Sequence, residues 1–125
     1  MNPSEHARAI DAAYAAGYWL LQSCQPHEAV HVFRTILLAA PSDERGWLGL
    51  AEAHDALGEQ HKALELYRLA PAATGPRARI SLALARALAR LGEDASDAYE
   101  SAADIASTES DDELFTIIQQ ERERS

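Results

Sequence analysis

Residues 27–31 read His-Glu-Ala-Val-His, a run whose residue types and spacing could do chemistry outright. On a helix, His27 and His31 lie one turn apart and could share a zinc ion, with Glu28 as general base for peptide hydrolysis. Glu52 can be put forward as a third ligand, although nothing around it supports that role. The context argues against the whole scheme. Pro26 opens the helix immediately before His27, whereas a catalytic pair needs a helix already anchored in a core. The extended form of the pattern calls for a glycine and a third histidine downstream, and Arg34 and Leu37 stand in those places. His6, His54 and His61 add no cluster, and His54 takes a helix-face position expected to pack. The six glycines are scattered, so no phosphate-cradling loop is present. No Ser–His–Asp or Cys–His arrangement follows from spacing. The expectation is a chain that is not an enzyme and carries no metal or cofactor.

The elements that hold these residues are helical. Hydrophobic residues make up 47 % of the 125 positions but aromatics only 6 %, because Ala and Leu dominate. Both types lose little on entering a helix, and no strand-length run alternates apolar with polar residues. A length of 125 fits one domain, spanning 1–125. No apolar stretch approaches the ~20 residues that cross a bilayer, and MNPSEHARAIDAAYAAGYWLL lacks the pattern of a secretory signal. Cys24 is the single cysteine and reads as a small residue near an inter-helix turn, compatible with a reducing cytoplasm. The net charge is −9. Nine basic and nine acidic residues cancel over 1–92, and Glu93 to Glu113 then holds nine acidic residues and no basic one. Such a balance repels phosphate backbones, which argues against a nucleic-acid partner.

A shift of 34 residues superimposes the sequence on itself. Gly17 falls on Ala51, Ala29 on Ala63, Phe33 on Tyr67, Ala51 on Ala85 and Gly58 on Gly92. Small residues such as Ala51 and Ala63 let two antiparallel helices approach, and Trp47, Leu50 and Tyr67 fill the volume around that crossing. Gly58 suits the left-handed residue that stops a helix. Pro41 cannot continue a helix, and Ser42 or Asp43 can cap the next. The order Trp47, Leu50, Ala51, Gly58, Ala63, Tyr67, Ala70 resembles the signature of the tetratricopeptide repeat. An all-α solenoid is therefore expected, with three helix-turn-helix repeats at about 10–43, 44–77 and 78–110 and a capping helix at about 111–123. The helices are predicted at about 5–22, 26–39, 43–57, 60–70, 76–91, 95–107 and 111–123. In the third repeat the small residue after Gly92 is Ala98, one position late, so the turn around Ala95 carries one extra residue.

In stacked helix pairs the first helix of each pair lines the concave surface. The side chains expected there are Tyr14, Tyr18, Leu21 and Gln22 from the first repeat. Arg45, Leu48, Glu52 and Asp55 follow from the second, and Arg79, Leu82, Arg86 and Arg90 from the third. Such a groove is aromatic and apolar at one end and basic at the other, which suits a peptide with apolar anchors and carboxylates. The competing arrangement has Tyr14 and Tyr18 packed inside the first helix pair and Arg86 paired with Glu52. Tyr14 and Tyr18 also replace the Lys and Asn that grip the C-terminal carboxylate of heat-shock chaperones in one repeat subclass, which disfavours that ligand.

The segments EAVHVFRTILLAAPSDERGWLGLAEAHDALGEQHKALELYRLA and LALARALARLGEDASDAYESAADIA resemble the class II type III secretion chaperones of Gram-negative bacteria. Phe33, Asp43, Arg45, Leu48-Gly49-Leu50, Gly58, Ala63 and Tyr67 carry the likeness, which runs from Gly17 to Ala106. The resemblance implies a bacterial cytoplasmic chaperone that sequesters a secreted subunit of translocator or needle type, without nucleotide and away from the membrane. Its peptide-facing residues would be Tyr14, Tyr18, Leu48, Glu52, Leu82 and Arg86. The N-terminal extension that serves dimerisation in translocator chaperones is nearly missing, and Ala72-Ala73-Thr74-Gly75-Pro76 forms an unusual small-residue linker. Both a homodimer and a heterocomplex stay open. A general repeat scaffold of a bacterial complex is the alternative function.

Overall fold

The computed structural model describes residues 2–124. Among them are eight helices and no strand: α1 (Pro3–Gln22), α2 (Pro26–Ala39), α3 (Glu44–Ala56), α4 (Gln60–Leu69), α5 (Pro71–Thr74), α6 (Ala78–Arg90), α7 (Ser96–Thr108) and α8 (Asp112–Arg124). Each of the seven helices expected from the sequence is present, with ends shifted by at most two residues. The added element is α5, a single turn within the expected linker, where Pro71 supplies a helix-ready first residue and Gly75 (φ 74°) ends it.

The first helices α3, α6 and α8 begin at Glu44, Ala78 and Asp112, 34 residues apart each time. The turns keep the same interval. Cys24, Gly58 and Gly92 all adopt left-handed backbone (φ 58°, 78° and 75°). Each is followed by an amide that donates back across the helix end: Gln25 to the Leu20 carbonyl, Glu59 to His54 and Glu93 to Leu88, at 2.8, 2.9 and 2.9 Å. These six-residue closures satisfy carbonyls that the helix end leaves orphaned. Cys24 is thus more than a small residue near a turn, since it takes the position that glycine fills in the next two repeats. The longer third turn is also present, with Asp94 accepting from the Ser96 amide at 2.9 Å and Ala98 buried one residue late.

The helix starts are capped locally. Asn2 and Glu5 form a reciprocal capping box on α1. Asp43 accepts from the Arg45 amide at 3.0 Å, and Asp111 from the Leu114 amide at 3.0 Å. The start of α6 has no cap from its own N-terminal residue. Glu109 supplies it from the end of α7, accepting from the Ala78 amide at 3.2 Å.

The chain forms two compact units, divided after Leu66 within α4. In the first, α2 packs against both α1 and α3 around Ile10, Ala29, Val30, Phe33, Ile36, Leu50 and Ala53. In the second, α7 packs against α6 and α8. Its interior is built from Ile80, Leu82, Ala85 and Leu88 of α6, Ala98, Tyr99, Ala102 and Ala106 of α7, and Ile118 of α8. The alanines expected at helix crossings, Ala29, Ala51 and Ala63, are 0 %, 0 % and 1 % exposed.

Candidate peptide-binding surface

The site on the first unit is organised by Phe33, whose ring is fully buried. Glycines flank it. A methyl group built on Gly17 would stand 2.6 Å from the ring, and one built on Gly49 only 2.2 Å from it. The ring is therefore held between α1 and α3 at two points where no side chain fits. Tyr14 and Tyr18 come next, one helical turn apart on α1. The Tyr18 ring meets Phe33 at 5.5 Å between centroids and Tyr14 at 4.8 Å, both edge to face. Tyr14 lies 6.3 Å from Phe33. Both tyrosines are half-buried, so they pack on the core and also present an edge to the outside.

Two features of α3 complete this surface. Arg45 lies over the Tyr14 ring at 5.1 Å, donates to Asp11 at 2.9 Å, and forks onto Asp43, also at 2.9 Å. The hydrogen bonds to Asp43 and then Asp11 push its pKa up further, so it is a cation already balanced by its own chain. Glu52, two turns along, faces Tyr18. Desolvation raises the Glu52 carboxyl, a hydrogen bond from the Tyr18 phenol lowers it, and the Asp55 charge raises it. The same neighbourhood raises the Tyr18 phenol, through burial first and the Glu52 charge second. Glu52 nonetheless retains solvent-exposed surface, so a solute can reach it. Leu21 is half-buried and packs on the same core as the two tyrosines, and Leu48 is half-buried on α3 one turn before Glu52.

The residues expected from the third repeat lie in the second unit and divide differently. Leu82 is 4 % exposed and belongs to the interior, which corrects its placement on an open groove. Its position in the repeat matches Tyr14 and Leu48, but there the neighbours close over it. Arg86 is engaged by its own chain. Its Nε donates to both carboxylate oxygens of Glu121 on α8 at 3.1 and 3.0 Å, and Nη2 bonds the same group. That fork lowers the Glu121 carboxyl and raises Arg86. The partner is Glu121, not Glu52. Arg79 and Arg90 are exposed, Arg79 beside a hollow of about 170 Å³ shared with Asp111, Glu113, Leu114 and Ile117.

A rule emerges that periodicity could have exposed. Asp11 pairs with Arg45 and Tyr18 with Glu52, 34 residues on. Arg86 pairs with Glu121 after 35. Successive first helices within a unit thus set chemically complementary residues opposite each other. The sequence signal was the chemical complementarity of residues one period apart, not their similarity.

The His-Glu-Ala-Val-His run sits elsewhere. His27, Glu28 and His31 are all exposed on α2. Among the described residues no three His, Cys, Asp or Glu side chains are grouped to hold a metal ion, and Glu52 faces Tyr18. His54 is half-buried, with Nδ1 3.1 Å from Glu59. No described helix is long and apolar enough to cross a membrane. A wider hollow of about 560 Å³ lies beside the α6–α7 turn. It is lined by Glu93, Asp94, Tyr99 and Arg122 and involves none of the predicted groove residues.

No protein-family model and no curated protein sequence matches the chain. Solved structures do match. The type III secretion translocator chaperone SycD of Yersinia enterocolitica superimposes with a TM-score of 0.84 at 21 % identity, over 95 % of this chain and 91 % of that one. PcrH of Pseudomonas aeruginosa gives 0.80 at 22 % identity, over 94 % and 91 %. PcrH bound to the chaperone-binding region of PopD gives 0.78 at 21 % identity, over the same shares. The fold of this chain is the all-helical, tetratricopeptide-like fold of the type III secretion translocator chaperones.

Proposed function

We propose that this chain is a bacterial cytoplasmic chaperone that binds a segment of a secreted type III translocator subunit and keeps it soluble until export. The carrying observation is the half-buried aromatic surface of Tyr14 and Tyr18, supported from beneath by Phe33, with Leu21 packed on the same core. It belongs to a fold that PcrH shares in complex with the chaperone-binding region of PopD. That likeness favours a translocator client over a needle client.

The action is passive. Each apolar client side chain that fills such a surface gains up to about 1.5–3 kcal/mol of transfer free energy. While bound, it is withheld from aggregation, and the step requires no nucleotide. The contacts assigned to the first unit are Tyr14, Tyr18, Leu21, Leu48 and Glu52. Arg79 and Arg90 supply positive charge on the exposed part of α6.

The test is co-purification with a translocator subunit encoded in the same genome, using wild type and the Tyr18→Ala/Leu48→Ala double variant. Removing two anchors should weaken the complex at least tenfold with helicity unchanged by circular dichroism. Equal affinity in the double variant moves the binding site off this surface. A stable complex with a folded cytoplasmic protein, and none with any secreted subunit, makes the chain a scaffold instead.

A further inference from the structure

We infer that the client segment carries a lysine or arginine next to its apolar anchor, and that Glu52 selects for it. The inference deepens the proposed peptide-binding role and rests on it. Sequence periodicity alone pointed the other way, toward client carboxylates meeting arginines. The structure removes that option where the aromatic surface lies. Arg45, the basic residue of that surface, is satisfied by Asp11 and Asp43 and covers the Tyr14 ring. A client carboxylate arriving there would have to displace an existing partner.

Glu52 is in the opposite condition. No cation of its own chain pairs with it among the described residues; the neighbour that acts on its carboxyl is the Tyr18 phenol, and a carboxylate has acceptor capacity for several donors. It sits one turn beyond Leu48 on α3 and opposite Tyr18, so a ligand side chain resting on the aromatic edge reaches it. Glu52 is exposed on α3 and forms no ion pair among the described residues. A cationic donor would pair with this carboxylate on binding, whereas a second carboxylate would be repelled by it. Charge complementarity at this surface therefore favours a cation, and a charge-assisted hydrogen bond outweighs a neutral one.

The experiment is selection from a displayed library of random 12-residue peptides against wild type, Glu52→Gln and Glu28→Gln. Glu28 is exposed on α2 and controls for general attraction to an acidic protein. Peptides enriched on wild type and on Glu28→Gln should pair an apolar residue with a nearby Lys or Arg. Those enriched on Glu52→Gln should keep the apolar residue and lose the basic one. A selected lysine peptide should bind Glu52→Gln about tenfold more weakly, the size expected of a charge-assisted hydrogen bond. Apolar enrichment without a basic residue on wild type overturns the inference and leaves the binding role standing, as does the same basic preference on Glu52→Gln. No enrichment on any of the three proteins overturns the binding role and the inference with it. Tyr14→Ala, expected to lose the apolar preference, separates loss of the surface from loss of charge recognition.

Discussion

Replacing Gly49 by alanine adds one methyl group to the middle of α3, and the position of Phe33 decides what that methyl does. On helix propensity alone the change should stabilise, since alanine is favoured over glycine in a helix interior by about 1 kcal/mol. The new carbon would stand 2.2 Å from two atoms of the Phe33 ring, against a normal carbon–carbon contact of about 3.5–4.0 Å. Relief needs a displacement of more than an ångström, and the tip of the ring already abuts Gly17, where an added methyl would stand 2.6 Å away. Overpacking of this kind costs about 1–3 kcal/mol and more where the site cannot relax. Taking the upper end because the ring is trapped, and subtracting the propensity gain, leaves a net loss of about 2 kcal/mol. For a chain of this size each kcal/mol shifts Tm by roughly 3–5 °C, so thermal melting followed at 222 nm should fall by about 6–10 °C. Phe33→Leu in the Gly49→Ala background makes room for the methyl, and the two changes should combine with at least about 1 kcal/mol of favourable coupling. An unchanged or raised Tm in Gly49→Ala would refute the reasoning, because the ring could then yield and would not hold Tyr14 and Tyr18 in place.

Two further outcomes follow from the turns and the ion pairs. Cys24→Gly places glycine at a left-handed position (φ 58°) and should raise stability by about 1 kcal/mol, measured by urea unfolding against Ser23→Gly as a neighbour control. Glu121→Gln should cost about 0.5–1 kcal/mol at pH 7, the partial exposure of Arg86 holding the figure down. Because Arg86 lowers the folded-state pKa of Glu121, that contribution is complete above the ordinary carboxylate range and is lost as pH falls through the folded value. Wild type and variant should therefore converge in stability once the pH lies below the folded value; a gap that persists across the whole acid range would show that packing, not charge, ties α8 to α6.

The architecture was legible because it rests on recurrence. Ala29, Ala51, Ala63 and the glycines at 58 and 92 announce helix crossings and turns by size alone, and each does what its size requires. Cys24 was harder to read, since a cysteine in a glycine position conveys nothing until the interval to Gly58 is counted. The surface is harder to read. Tyr14 and Tyr18 lie one turn apart on α1, but a half-buried ring belongs to core and surface together, and sequence cannot apportion it. Leu82 and Arg86 show why the rest was hidden. Position in a repeat sets direction relative to the helix axis, whereas exposure depends on what the neighbouring helix carries. For Arg86 that neighbour is Glu121, 35 residues on and past a longer turn, in a helix with no repeat partner of its own.

Complementary pairing one period apart bears on how such a chain reaches its native arrangement. Modules of similar shape can dock in the wrong succession, a known hazard for tandem arrays during folding. Distinct pairs give the modules addresses. If the segment from Glu44 to Arg77 were skipped, Asp11 would lose Arg45 and Tyr18 would lose Glu52, so the misordered form would forfeit contacts that shape alone does not protect. Duplication could have supplied the blocks, but unlike side chains at matching positions make their sequence of assembly unambiguous.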